Sequence, residues 1–372
     1  MADPWSWLEQ QRADVAARGL VRRLDPGAPG LLDLASNDYL GLSTHPDVVA
    51  GAVAAAQQYG AGSTGSRLVT GTTELHLALE RALADRLSAE SALLFSSGYL
   101  ANLGAVTVLA GPGTLVVSDS ANHASLIDAC RLSRATVQVV PHGDAAAVDA
   151  ALSAHDGRGL VVTDAVFSVD GSLADLVGLH EVVRRHGALL LVDEAHGLGV
   201  VGPAGEGACA LAGLEQEPDV VRTITLSKSL GGQGGAVLGP AVLRDHLRDT
   251  ARSFVFDTGL APASVGAALA ALPLVTHERV DALRTAGERL AHALGVAPTP
   301  GAVLRLVLGD PHRAVAAQQA CRDAGVRIGC FRPPSVPRDG SCLRLTARAD
   351  LSEQDVERAA AVVLAAVAAT AP

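Results

Sequence analysis

The chain has 372 residues and a formal charge of −10, with 49% hydrophobic and 18% charged residues. That length can bury a large core and predicts one large domain with a smaller companion. The acidic balance excludes nucleic acid as a main partner, because phosphate binding needs a basic face.

In chain order, Met1-Ala2-Asp3-Pro4-Trp5 is acidic and lacks an apolar segment, so no signal peptide is expected. Residues 1 to about 24 read as helix, with Arg22 and Arg23 near its end. Pro26, Gly27, Pro29 and Gly30 then break the chain before Leu31-Leu32-Asp33-Leu34. From there to about residue 260, short apolar runs alternate with helical patterns. The clearest strands are Ala92–Phe95, Thr114–Val117, Val137–Val140, Leu160–Thr163 and Ala188–Val192. Continuous runs of this kind suit parallel strands covered by helices on both faces. After Pro262 the pattern shifts to Ala-rich helices with strands near Val303–Leu308, Val326–Ile328 and Leu343–Thr346, an α+β arrangement. Ser352-Glu353-Gln354-Asp355 has the form of a capping box opening a buried C-terminal helix. Its apolar stretch, Ala359 to Ala369, is well short of the ~20 residues needed to cross a bilayer. The expected division is an N-terminal arm at 1–40, a large α/β domain at 41–262 and a small domain at 263–372. Cys130, Cys209, Cys321, Cys330 and Cys342 contain no C-x-x-C pair and read as buried thiols of a reducing, cytoplasmic setting.

The chemistry starts from one residue. Of 29 Lys and Arg residues, only Lys228 is lysine. Arginine substitutes for lysine as a charge, but its guanidinium does not deprotonate and cannot attack a carbonyl carbon. A lysine kept in so arginine-rich a chain is therefore a candidate Schiff-base lysine. In open α/β sheets, ligands bind beyond the carboxyl ends of the strands. Val220–Thr225 leads to Lys228, Ala188–Val192 leads to Asp193-Glu194-Ala195-His196, and Leu160–Thr163 leads to Asp164 and Ser168. Phe95-Ser96-Ser97-Gly98-Tyr99 joins a strand to a helix whose first N–H groups suit a phosphate. An amine, a carboxylate for a ring nitrogen and a phosphate cradle are what pyridoxal phosphate requires. Asp-Glu-Ala-His also occurs in nucleotide-driven helicases, but no G-x-x-x-x-G-K-[S/T] loop accompanies it here. Thr225-x-x-Lys228 lacks the partner motifs of a Ser-x-x-Lys acyl hydrolase.

Together these residues resemble the α-oxoamine synthases, a branch of the fold-type I pyridoxal phosphate enzymes. The resemblance spans nearly the whole chain. It is carried by Leu34–Leu42, Gly65–Gly71, Ser118–Ser125, Asp193–Gly199 and Thr225–Lys228. It implies an aspartate aminotransferase-like fold, a homodimer with shared active sites, and the following roles. Lys228 bonds the cofactor aldehyde and then moves protons. Asp193 pairs with the ring nitrogen, His196 with Ser168 holds the ring hydroxyl, and His123 stacks on the ring. Ser97, Gly98, Tyr99 and Thr225 meet the phosphate, and Thr258 reaches the phosphate of the partner subunit. Arg344 clamps the amino-acid carboxylate, with Asn37, Ser66 and His123 as further substrate contacts.

Phe331-Arg332-Pro333-Pro334-Ser335-Val336-Pro337 resembles the branch that condenses L-alanine with a pimeloyl thioester in biotin synthesis. The glycine-using 2-amino-3-ketobutyrate ligases and 5-aminolevulinate synthases place Tyr-Pro there. Ser335 stands where that branch has threonine and keeps the hydroxyl as a substrate contact. Arg22 or Arg23, with Arg22 favoured, matches an arm arginine for the acyl substrate. Asp164 stands where relatives often carry glutamate, and the resemblance assigns it no role. The readings set against this one are the same chemistry with glycine and acetyl-CoA, an aminotransferase or lyase, and a non-catalytic scaffold.

Overall fold

Runs of branched aliphatic residues bounded by Gly, Pro and Asp form strands, and the Ala-rich stretches between them form helices. The computed structural model describes residues 3–24, 26–27 and 30–371; Met1, Ala2 and Pro29, used above, lie outside them. In chain order the strands are β1 (Leu32–Leu34), β2 (Ser91–Phe95), β3 (Thr114–Asp119), β4 (Thr136–Val140), β5 (Arg158–Asp164), β6 (Leu189–Asp193), β7 (Val220–Thr225), β8 (Gly235–Gly239), β9 (Val303–Gly309), β10 (Val326–Phe331) and β11 (Ser341–Thr346).

Seven of them make one sheet in the order β2-β8-β7-β6-β5-β3-β4. Only β8 runs against its neighbours; the other pairings in this sheet are parallel. Both faces are covered. Leu160 and Val162 of β5 enter one core and Val161 the other, which is why these strands read as unbroken apolar runs. A chain leaving β3 turns outward to β4 and then returns to β5 on the other side. The crevice between β3 and β5 is thus a switch point, where ligands of this architecture bind.

The second sheet has the order β1-β10-β11-β9, with its own core around Leu304, Ile328, Leu343, Leu345 and Val363. β1 pairs in parallel with β10, so residues 32–34 complete a sheet otherwise built from the chain's last third. The capping box is present: Ser352 Oγ accepts from Asp355 N–H and the Asp355 carboxylate accepts from Ser352 N–H, opening the helix Glu353–Ala369. No helix among the described residues is long and apolar enough to cross a membrane.

Three expectations change. The N-terminal helix covers only Ser6–Ala17, because Gly19, at φ +65°, and Leu20 turn back onto Ala16 and Val15 carbonyls and end it. Arg22 and Arg23 therefore lie on an irregular arm. The glycine-rich run after Lys228 contains strand β8, which pattern reading missed because glycine carries no strand signal. Four cysteines are buried, but Cys330 is only half-buried.

Glycine at the start of β8 has a packing cause. A Cβ on Gly235 would meet Gly98 Cα and N at 2.5 Å, backbone that cannot swing aside. Gly235→Ala should cost about 2 kcal/mol of stability through overpacking. It should also force the loop at Gly98 outward. A urea midpoint equal to that of the parent protein would refute this account of the contact.

Candidate active site

The carboxyl ends of β2, β3, β5, β6 and β7 share one edge, and the loops leaving them assemble the site. β5 and β6 end side by side, with Asp164 opposite Asp193 in register. β7 ends at Thr225 and the chain turns through Lys228, whose carbonyl accepts from Gly231 N–H. Lys228 is half-buried, and burial pulls its ammonium pKa down to about 8. Asp193 and Asp164 oppose that shift, and the Arg344 guanidinium reinforces it.

Asp193 is fixed from both oxygens. Its Oδ1 accepts from Ala195 N–H at 2.9 Å and its Oδ2 from Asn102 Nδ2–H at 2.7 Å. Asp164 is buried, accepts His123 N–H at 3.0 Å, and has its own N–H taken by Asn122 Oδ1. Burial first, and Asp193 beside it, push its carboxyl well above the usual range. His196 is buried, with Nδ1 2.5 Å from the Tyr39 hydroxyl. Burial and then the charges of Lys228, Arg344 and His123 hold it well below the ordinary histidine value, so it is neutral near pH 7. His123 caps the helix Ala124–Leu132 through Nδ1, and burial lowers its pKa too. Lys228, Asp193, Asp164, Arg344, His123 and His196 thus feel one another's charges in one place.

Arg344 is the group whose partner is missing. It is 4% exposed, in the middle of β11, and its guanidinium lies 4.6 Å over the Phe331 ring. One NH group donates to Ser168 O at 2.8 Å and another to Asn37 Oδ1 at 2.7 Å. Its hydrogen-bond partners among the described residues include no carboxylate, and its Nε is buried without a partner among them. A buried arginine without an acid is costly unless a ligand anion supplies one.

The phosphate side is built by close approach. Ser97 Oγ accepts from Leu100 N–H and caps the helix Gly98–Leu109, whose first N–H groups have no intrahelical acceptor. A Cβ on Gly98 would sit 3.1 Å from Thr225 Cβ, so Thr225 closes over the helix start. The Tyr99 hydroxyl points away and donates to Asp128 at 2.6 Å, leaving only its backbone for a phosphate. Ser96 donates to Asp257, and Gly259 N–H donates to Gly65 O, tying residues 257–259 to both glycine-bearing loops.

Not every expected residue joins this cluster. Thr258 is exposed beside it, and Ser66 is half-buried with its carbonyl accepting from Val69 and Gly71 N–H. Arg22, Arg23 and Ser335 are exposed. The arm is held instead by Arg332, which donates to Gly19 O at 2.5 Å and Val21 O at 3.3 Å. Sequence reading missed Asn102, Thr223 and the pairing of Tyr39 with His196. An asparagine facing the core of the apolar stretch Ala101–Leu109 was the available signal.

The residues fit pyridoxal phosphate. The chain's one lysine feels both Asp193 and Asp164, the helix start at Gly98 lies against Thr225, and the buried Arg344 guanidinium keeps an Nε without a partner among the described residues. With a single lysine, ¹³C-lysine labelling gives one side-chain amine to titrate in the cofactor-free protein. Its midpoint should fall near pH 8, against ~10.4 for an ordinary lysine, with unfolding in urea restoring the higher value. A native midpoint above 10 would refute the electrostatic description.

Comparison with known proteins points the same way. Residues 29–363 match the family model for aminotransferase class I and II. An 8-amino-7-oxononanoate synthase of Mycobacterium sp. (strain KMS) is 58% identical over 97% of this chain and 96% of its own length. Sphingomonas wittichii serine palmitoyltransferase superposes with a TM-score of 0.91 at 31% identity, covering 99% of each chain. Serine palmitoyltransferase from S. paucimobilis, solved with a bound PLP–myriocin adduct, gives 0.91 at 28% identity over 99% of each chain. The chain belongs to the class I and II aminotransferase family and, within it, to the pyridoxal phosphate-dependent 8-amino-7-oxononanoate synthases.

Proposed function

We propose that the protein condenses L-alanine with a pimeloyl thioester, releasing carbon dioxide and the free thiol carrier and forming 8-amino-7-oxononanoate, in cytoplasmic biotin synthesis. Arg344 is the observation that carries the amino-acid half. Its planar guanidinium, held by Ser168 O, Asn37 and the Phe331 ring, suits a carboxylate, and no carboxylate pairs with it among the described residues. The acyl half rests on the 58% identity to a curated relative of that name. The fold alone does not choose it, since a palmitoyl-transferring enzyme superposes as well.

When bound, pyridoxal phosphate supplies the electron sink for the carbon bearing the amino group. The protein's own groups do the rest. Asp193, clamped by Asn102, would pair with the ring nitrogen and favour its protonated form. The Lys228 amine, lowered to about 8, has an appreciable neutral fraction; it would hold the cofactor at its aldehyde carbon and, once the substrate amine has displaced it there, would be free to take the proton from the α-carbon. His123 and His196, both neutral near pH 7, bound the ring without adding charge that would oppose Asp193. The helix start at Gly98 and the Thr225 hydroxyl hold the phosphate. Ser335 and Arg22, at the exposed rim, are the contacts assigned to the acyl chain.

The working assembly is a homodimer with shared sites. Leu68 at 52%, Val69 at 79% and Phe256 at 71% exposure leave large apolar side chains in the open on the loops that carry Ser66 and Thr258. Phe256→Glu should yield a monomer by sedimentation and lose most activity. A fully active monomer would sink the shared-site reading.

The function is tested by thiol release with L-alanine and pimeloyl-CoA. Lys228→Ala should abolish it, and Arg344→Lys should raise KM for alanine roughly 10- to 100-fold, the worth of a charged hydrogen-bond pair. Turnover only with glycine and a short acyl-CoA would leave the site standing and overturn the substrates.

A further inference from the structure

The side chains of Thr223, Asn102 and Ser125 form a buried chain between Asp193 and His123. Asn102 lies 2.7 Å from Asp193 Oδ2, 2.8 Å from Ser125 Oγ and 2.6 Å from Thr223 Oγ1. An amide oxygen facing the Asp193 carboxylate would set acceptor against acceptor, so the Asn102 NH₂ faces Asp193 and Ser125. Thr223 O–H then donates to Asn102 Oδ1 and locks that orientation. Both Asn102 hydrogens are used, one on Asp193 and one on Ser125. Ser125 Oγ, accepting from Asn102, has its own proton to place, and His123 Nδ1 lies 2.8 Å away. Ser125 N–H also points at that nitrogen, at 3.3 Å. Two donors converge on Nδ1 at the positive end of the helix Ala124–Leu132.

We propose that Asn102 is a positioning residue that serves both sides of the cofactor ring. One hydrogen holds the Asp193 carboxylate, and the other, relayed through Ser125, makes Nδ1 of His123 an acceptor. His123 is thereby fixed as the neutral form with its proton on Nε2, the nitrogen left without a hydrogen bond among the described residues. Burial, which lowers the His123 pKa, acts in the same direction. The inference deepens the cofactor-site reading and relies on it for what the two side chains flank. The histidine form itself is read without substrate, so its failure is separate from failure of the reaction.

The test uses ¹⁵N-histidine-labelled holoenzyme, with His123 assigned by its loss in His123→Asn. Long-range nitrogen–proton correlation near pH 7 should display an unprotonated Nδ1 and a protonated Nε2. Asn102→Ala should mix the two neutral forms and weaken pyridoxal phosphate binding about tenfold, as expected for one hydrogen bond to a carboxylate. Ser125→Ala should shift the balance part of the way toward Nδ1–H, since only the Ser125 backbone N–H still donates to Nδ1, while leaving cofactor affinity within about twofold, because the Asn102–Asp193 bond remains. Ser125→Ala alone decides the relay if Asn102→Ala does not fold. A parent His123 that is doubly protonated or carries its proton on Nδ1 would overturn the proposal. So would a Ser125→Ala spectrum unchanged from the parent, or an Asn102→Ala protein with parental affinity and spectrum.

Discussion

The site depends on confining two carboxylates, an amine and a guanidinium at one sheet edge with little water between them. Each is costly alone. Asp164 is tolerated beside Asp193 because burial and Asp193 push its carboxyl toward the neutral form, and Asp193 offsets the repulsion between Lys228 and Arg344. The balance is incomplete by design of the fold: Arg344 retains an unsatisfied Nε, and Lys228 is drawn toward its neutral form. Both deficits are of the kind that a bound anion and a reactive aldehyde remove. Between pH 8 and 10.5 the unfolded chain binds the lysine proton more tightly than the folded one. Unliganded stability from this group therefore rises with pH across that window and is penalised below it.

Most of that arrangement was legible because the motifs stand at strand ends. Lys228, Asp193, His196 and Asp164 each follow an apolar run, and an α/β sheet sends all such ends to one edge. Being the sole lysine made Lys228 conspicuous in a way no spacing rule would. The orienting residues were harder to see. Asn102 lies inside a helix and Thr223 inside a strand, where a polar residue looks like an ordinary interruption of an apolar pattern. Only the packed structure brings residues 102, 125, 193 and 223 together. β8 was hidden for a related reason: Gly235 is there to let Gly98 approach, and a residue chosen for lacking a side chain carries no pattern.

The sequence and the fold answer different questions about specificity. A serine palmitoyltransferase superposes over 99% of the chain at 31% identity, so the backbone serves more than one acyl group. What discriminates must lie in side chains at the rim, and there the chain is least constrained. Arg22 and Arg23 are exposed on the N-terminal arm, whose Gly19 and Val21 carbonyls accept from Arg332, and Ser335 is exposed on the segment that carries Arg332. In the interior, by contrast, the Asp193 carboxylate is held by two hydrogen bonds and the Asp164 carboxyl by one.

That contrast has a physical origin. Moving a proton at an α-carbon depends on which atom carries a proton, so each donor and acceptor around the ring must have one orientation. Two hydrogens on Asn102 and one on Thr223 are enough to specify Asp193 and, through Ser125, His123. The groups that handle charge gather at the strand ends of one sheet, whereas the arm is held by Arg332, which follows β10 of the other sheet.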